Sequence, residues 1–160
     1  MTIRIATLGD VNELLPLFVE YNEYLWSLLS KKESFFKKPK KNFKYYIRKS
    51  LIQMISNNKH RILVLEIDGK IVGSISGWIN YHKNSLFEDS CRIGTLGYLM
   101  VIKNYRNKGL SSLLKTEIFK WFKKRKCDFI VLDVNTNNPA KNIYNKWAFK
   151  KYSEKMLIPL

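Results

Sequence analysis

The 160-residue chain reads as an α/β fold with a mixed central sheet, in the order β-α-α-β-β-β-α-β-α-β. Three observations predict it. Apolar residues at Leu110, Leu113, Leu114, Ile118, Trp121 and Phe122 keep helical spacing with one wet face. That helix separates two apolar runs, Arg92 to Ile102 and Asp128 to Val134, so strand, helix and strand form a right-handed crossover with parallel strands. Upstream, Asp68-Gly69 stands between two extended patterns, a strong hairpin signal that adds antiparallel pairing to the same sheet.

The elements follow in order. Ile3 and Ile5 alternate with polar neighbours as a short first strand. Asp10 reads as an N-cap for a helix carrying Val11, Leu14, Leu15, Phe18 and Val19 on one stripe, with Pro16 predicting a kink or an early end. Residues 31 to 42 form a basic, aromatic loop, and a second helix runs from Phe43 to Ser56 with Tyr46, Ile47, Leu51, Met54 and Ile55 on one side. Strands follow at Arg61 to Ile67, Lys70 to Tyr81 and Arg92 to Ile102, the last with Gly94 and Gly97 as bulge positions. After the crossover, Asn138-Pro139 reads as N-cap and first helical residue of a short helix bearing Ala140, Ile143, Tyr144 and Trp147. A last strand is expected from Lys150 to Leu160, and residues 1–160 read as a single domain.

Composition bounds the function. Hydrophobic residues make up 46% of the chain, enough for a core. No apolar stretch approaches the roughly 18 residues of a membrane span. The N-terminus enters a strand directly, without a signal-peptide core. Cys91 and Cys127 lie far apart, and neither they nor His60 and His82 show metal-ligand spacing. A reduced, cytoplasmic protein without a metal is expected. The net charge of +16 has two readings: lysines coating solvated faces, or a field that serves an acidic partner such as a phosphorylated ligand, nucleic acid or an acidic protein.

The stretch from Val101 to Ser112 carries the chemistry. It is a basic, glycine-containing loop between a strand and a helix start, where unpaired N–H groups and the helix dipole favour phosphate. It lacks the paired glycines and Gly-Lys-Ser/Thr of a nucleotide P-loop and the three glycines of a dinucleotide fingerprint. What stands there is Arg106-x-x-Gly109-x-Ser111, which resembles the Arg/Gln-x-x-Gly-x-Gly/Ala motif of the GNAT superfamily of acetyl-CoA-dependent acyltransferases, with Ser111 at its last position. Downstream, Asn137-x-x-Ala140-x-x-x-Tyr144-x-x-x-Ala148-Phe149 resembles that family's Asn-x-x-Ala-x-x-x-Tyr-x-x-x-Gly-Phe signature, with Ala148 in the glycine position, a change expected to alter the turn into the last strand.

The resemblance covers essentially the whole chain and implies a GNAT fold and N-acetyl transfer from acetyl-CoA to a primary amine by direct attack. It implies that Leu99, Met100 and Val101 offer backbone groups to the pantetheine arm. The pyrophosphate is then held by the backbone of Asn107, Lys108, Gly109, Leu110, Ser111 and Ser112, with Arg106 and Lys108 beside it, while Asn137 lies near the pantetheine. Tyr144 is the implied general acid for the departing thiolate, since a phenol stays neutral at pH 7.

Many family members carry a glutamate on the fourth strand that takes the amine's proton; the matching position here is Gly97. Either Asp133, Glu88 or Asp89 substitutes, or the substrate arrives already deprotonated; Asp133 is preferred as a carboxylate in an otherwise apolar strand and is equally readable as a strand-end residue. The segment Lys31 to Phe43 occupies the place that commonly lines the acceptor site, and its Lys-Phe-Tyr composition suits an apolar or acidic acceptor more than a polycation. The same basic, aromatic composition suits a nucleic acid, so the alternative function is a binding module for RNA, the ribosome or an acidic protein. Monomer and homodimer both stay open.

Overall fold

The computed structural model describes residues 1–30, 33, 39–83 and 89–153. Strand β1 (Thr2–Ile5) leads through a 3₁₀ turn (Leu8–Asp10) into α1 (Val11–Ser27). Helix α2 (Phe43–Ser56) precedes β2 (His60–Ile67), β3 (Lys70–His82) and β4 (Cys91–Val101). A second 3₁₀ turn (Lys103–Tyr105) introduces α3 (Leu110–Lys124), then β5 (Phe129–Val131) and α4 (Lys141–Lys146). The five strands lie in sequence order in one sheet. β1 to β4 pair antiparallel and β5 joins β4 in parallel, so the predicted mixed α/β sheet and its crossover are present.

Each face of the sheet buries its own cluster. Leu14 and Phe18 of α1 and Leu51 of α2 pack on Val64, Ile71, Tyr98 and Met100. On the opposite face, Leu114, Ile118, Trp121 and Phe122 of α3 cover Leu65, Ile75 and Leu96. The Phe122 ring lies flat against Gly77 and Gly94, where a Cβ would stand 2.5 Å from its carbon atoms. Gly94 therefore serves close packing, and its pairing with Ile79 is regular rather than bulged.

Gly97 does lie in a bulge. Ile75 pairs with Leu99 and Gly77 with Leu96, so Gly97 and Tyr98 together stand opposite Ser76. The extra residue switches the alternation: Leu96 faces α3 before it, and Leu99 and Val101 pack against that same cluster after it.

Other expectations change. Pro16 neither ends nor divides α1. The carbonyl it leaves without an intrahelical donor is that of Asn12, an exposed residue open to solvent. Asp10 occupies the N-cap position of α1, yet its carboxylate turns back to accept from Thr7 N (2.6 Å) and from Arg4 (2.7 and 2.8 Å). The fifth strand is confined to Phe129–Val131, and the last helix starts at Lys141. Residues 150–153 form no strand, and the rest of the expected final strand lies outside the described residues.

Candidate active site

The bulge and the short β5 together open the sheet. The parallel ladder runs Ile93↔Phe129, Gly94↔Ile130 and Thr95↔Val131, and ends there. Beyond it β4 pairs only with β3 among the described residues. The Met100 carbonyl oxygen faces Gly73 of β3, 3.1 Å from the place of a Cβ, and Ile102 N–H donates to Val72 O at 3.0 Å. Backbone groups alternate between a strand's two edges, so Leu99 and Val101 face the opening and Met100 faces the sheet. Of the three residues expected to offer backbone groups, two are placed to do so. Arg106 Nε already donates to the Val101 carbonyl at 2.8 Å.

Below the opening, α3 begins without a side-chain cap. Its N-cap is Gly109 at φ 74°, and nothing stands within 4 Å of the position of its Cβ. The glycine therefore serves the left-handed backbone, and no protein atom crowds its open side. Asn107 is also left-handed at φ 63°, so the loop bends twice within three residues and turns successive N–H groups outward. Leu110 buries its side chain in the α3 cluster and fixes the helix start. Ser112 N–H is taken by Gly109 O at 3.0 Å, which leaves the first-turn N–H groups of Leu110 and Ser111 to an anion. Lys108 Nζ rests 5.3 Å above the Tyr105 ring at the loop's rim. Arg106 reaches across to Glu20 of α1 at 3.4 Å, and both side chains are exposed, so it ties α1 to the end of β4 with little energetic weight.

Tyr144 sits half-buried on α4, edge-on to Trp147 (5.8 Å) and Phe149 (6.1 Å). Burial raises its phenol above the ordinary value, so the hydroxyl stays protonated as a donor. Tyr21 of α1 is its electrostatic neighbour and is pushed up to about 12, mainly by burial. The turn after α4 keeps the left-handed shape with alanine: Ala148 has φ 65°, and Phe149 N–H reaches Tyr144 O at 3.1 Å.

Asn137 donates from Nδ2 to Leu28 O at 3.3 Å, just past α1. Its buried neighbour Asn138 accepts from Ala140 N–H at 2.9 Å and from Tyr24 Oη at 3.4 Å. These bonds hold the α4 segment against α1. Asn138 and the tyrosines of α1 belong to the site's frame although no motif marks them; the Tyr21/Tyr24 spacing on one helix face was the available signal.

A side chain at Gly97 has no room. Its Cβ would contact Ser76 Oγ and stand 2.9 Å from Trp78 Cζ3. Ser76 Oγ also accepts from Tyr98 N–H at 3.2 Å. Asp133 lies two residues beyond β5 and is exposed, so the apolar strand expected around it is absent. Asp89 is exposed as well, and Glu88 lies outside the described residues. Among the described residues no cluster of metal ligands occurs, and no helix is long and apolar enough to cross a membrane.

A sheet split between parallel strands β4 and β5, over an uncapped helix start, is the architecture of the GNAT fold. The chain belongs to the GNAT acetyltransferase family: the model described as "Acetyltransferase (GNAT) family" matches residues 19–149. Among solved structures, a tetramutant of the BH1408 protein from Bacillus halodurans is similar at 22% identity and TM-score 0.85, with all of both chains covered. A ribosomal-protein-alanine N-acetyltransferase from Brucella melitensis biovar Abortus 2308 is similar at 17% identity and TM-score 0.71, again with 100% of each chain covered. A predicted acetyltransferase with acetyl-CoA from Clostridium acetobutylicum is similar at 13% identity and TM-score 0.76, over 99% of this chain and 95% of that one.

Proposed function

We propose that this protein is an N-acetyltransferase that uses acetyl-CoA as co-substrate and a primary amine as acceptor. The observation that carries the reading is the coincidence of an open β4 edge at Leu99 and Val101 with an uncapped, glycine-started helix below it. The residues fit the ligand: edge amides suit an extended amide-bearing arm, and the N–H groups of Leu110 and Ser111 suit a diphosphate. Acetyl-CoA, when bound, supplies an acetyl group activated as a thioester.

The chain's own residues then have separable tasks. The Leu99 and Val101 backbone positions the arm along β4, and the α3 N-terminus with Lys108 anchors the phosphate end. Tyr144 holds a proton for the leaving sulfur. Between ordinary values of about 8.5 for a thiol and about 10 for a phenol, full transfer is uphill by about 2 kcal/mol, and the burial that raises the Tyr144 phenol adds to this. A hydrogen bond to a charged sulfur contributes about 1.5–3 kcal/mol and offsets that difference. The amine's proton leaves to solvent, with Asp133 as the candidate carboxylate to receive it through water, because Ser76 and Trp78 fill the place above Gly97.

Titration calorimetry with acetyl-CoA is expected to give micromolar binding or tighter, about −8 kcal/mol. Absence of binding would overturn the reading and favour the module that docks on an acidic partner, for which the +16 charge is the support. RNA binding that weakens steeply with salt is the mark of that alternative.

A further inference from the structure

A cavity of about 500 Å³ lies between α1, α2 and the bulged part of β4, within the ~300–1,000 Å³ range of small-molecule sites. Its walls include Phe18, Tyr21, Trp26, Phe43, Tyr46 and Tyr98. The rings brace one another edge-on, Phe18 against Tyr98 at 4.0 Å and Trp26 against Phe43 at 5.2 Å, which makes the walls rigid and apolar. Among the described lining residues there is no Asp or Glu, and the one charged group is Lys40, whose Nζ stands 5.4 Å above the Tyr46 ring. Tyr98 is 7% exposed. Ser74 and Ser76 lie near its hydroxyl, yet none of its neighbours reaches hydrogen-bonding geometry with it. Tyr21 touches both sides of the problem: its ring is 6.1 Å from that of Tyr98, and Tyr144 is its electrostatic neighbour. Tyr21 thus lines the cavity and lies within electrostatic reach of the phenol assigned to acid duty.

We propose that the acceptor is a free apolar amino acid, by preference an aromatic one: a single amine, an apolar side chain inside the ring-lined cavity, and a carboxylate met by Lys40. This rests on the acetyl-transfer reading above. A polyamine or other polycation would bring a second positive charge into an apolar cavity that offers no counter-charge, an unfavourable burial. A net charge of +16 adds to the repulsion and draws in a carboxylate. The amine nitrogen forms its bond to the acetyl carbonyl carbon as the carbon–sulfur bond breaks. The amine's proton goes to solvent, the thiolate is protonated, and the products are an N-acetyl amino acid and CoA.

The test compares thiol release with phenylalanine, phenylalaninamide, phenethylamine and spermidine, alongside calorimetric binding of phenylalanine to the protein saturated with CoA. Phenylalanine is expected to bind and to exceed its amide and its decarboxylated amine in kcat/KM by about tenfold, as one charge-assisted contact provides, with spermidine inert. Lys40→Glu is expected to erase or reverse the acid-over-amide ratio. Spermidine as the preferred acceptor, equal turnover of acid and amide, or a ratio untouched by Lys40→Glu overturns the proposal. If acetyl-CoA binds and phenylalanine neither binds nor reacts, the acceptor assignment alone falls; if acetyl-CoA does not bind, the transfer reading falls with it.

Discussion

Adding a single methyl at Gly97 probes why this chain lacks a carboxylate on β4. The Cβ of Gly97→Ala would contact Ser76 Oγ, stand 2.9 Å from Trp78 Cζ3 and 3.4 Å from Ser76 O. Two of these neighbours are side chains, but Ser76 is 3% exposed and its Oγ is held by Tyr98 N–H at 3.2 Å, so neither strand gives way freely. Overpacking of this kind costs about 1–3 kcal/mol. Ser76→Ala alone leaves the buried Tyr98 N–H unpaired, at about 1–3 kcal/mol. In the double variant the new methyl occupies the volume the Ser76 hydroxyl vacates. The two losses are then expected to combine to less than their sum, by about 1 kcal/mol or more. Urea unfolding of the four proteins, with unchanged m-values, reads this coupling directly. Additive losses, or a Gly97→Ala protein as stable as the parent, would refute the claim that Ser76 and Trp78 occupy the space above Gly97.

Tyr144→Phe is expected to lower kcat by about 10²-fold or more with acetyl-CoA affinity unchanged, since the hydroxyl acts on the leaving sulfur and not on binding; steady-state kinetics with calorimetry separate the two. If the amine's proton leaves to solvent without Asp133, kcat/KM for an alkylamine with a pKa of about 10.4 rises log-linearly from pH 7 to 9, whereas a plateau below pH 8 that Asp133→Asn abolishes marks Asp133 as the base. Ala148→Gly is expected to stabilise the fold by about 1 kcal/mol in chemical denaturation, because φ 65° strains an alanine and not a glycine. Asp10 is lowered to about 2, chiefly by its bonds to Arg4. Its stabilisation is present above about pH 4 and is lost as the pH falls toward 2. Asp10→Asn is therefore expected to lose about 1–2 kcal/mol at pH 7, allowing for the 35% exposure of Arg4, and the difference from the parent should shrink as the pH falls through 2.

Periodicity placed α2, α3 and the start of α1 within a residue or two, because each helix buries one stripe and wets the other. The βαβ crossover and the Asp68-Gly69 hairpin follow from local turn chemistry and are equally plain in the amino acids. Gly109 could be read as marking the helix start because the left-handed N-cap conformation it takes favours glycine. What could not be read depended on strand register. A bulge at Gly97 and Tyr98 decides which edge of β4 Leu99, Met100 and Val101 face, and one shifted residue separates Met100 from the other two. The cavity draws Phe18, Tyr98 and Phe43 from three elements distant in sequence. No spacing rule assembles them. The early helix end expected at Pro16 does not occur, since Leu14 and Phe18 on either side are buried and hold a backbone that local preference disfavours.

The claim that the β4 edge and the α3 N-terminus form one binding surface is tested most directly by amide hydrogen exchange with and without acetyl-CoA. Bound acetyl-CoA should slow exchange at Leu99, Val101, Leu110 and Ser111 while Met100, whose backbone faces β3, stays unchanged. Saturating acetyl-CoA that leaves those four amides exchanging as before would contradict the account.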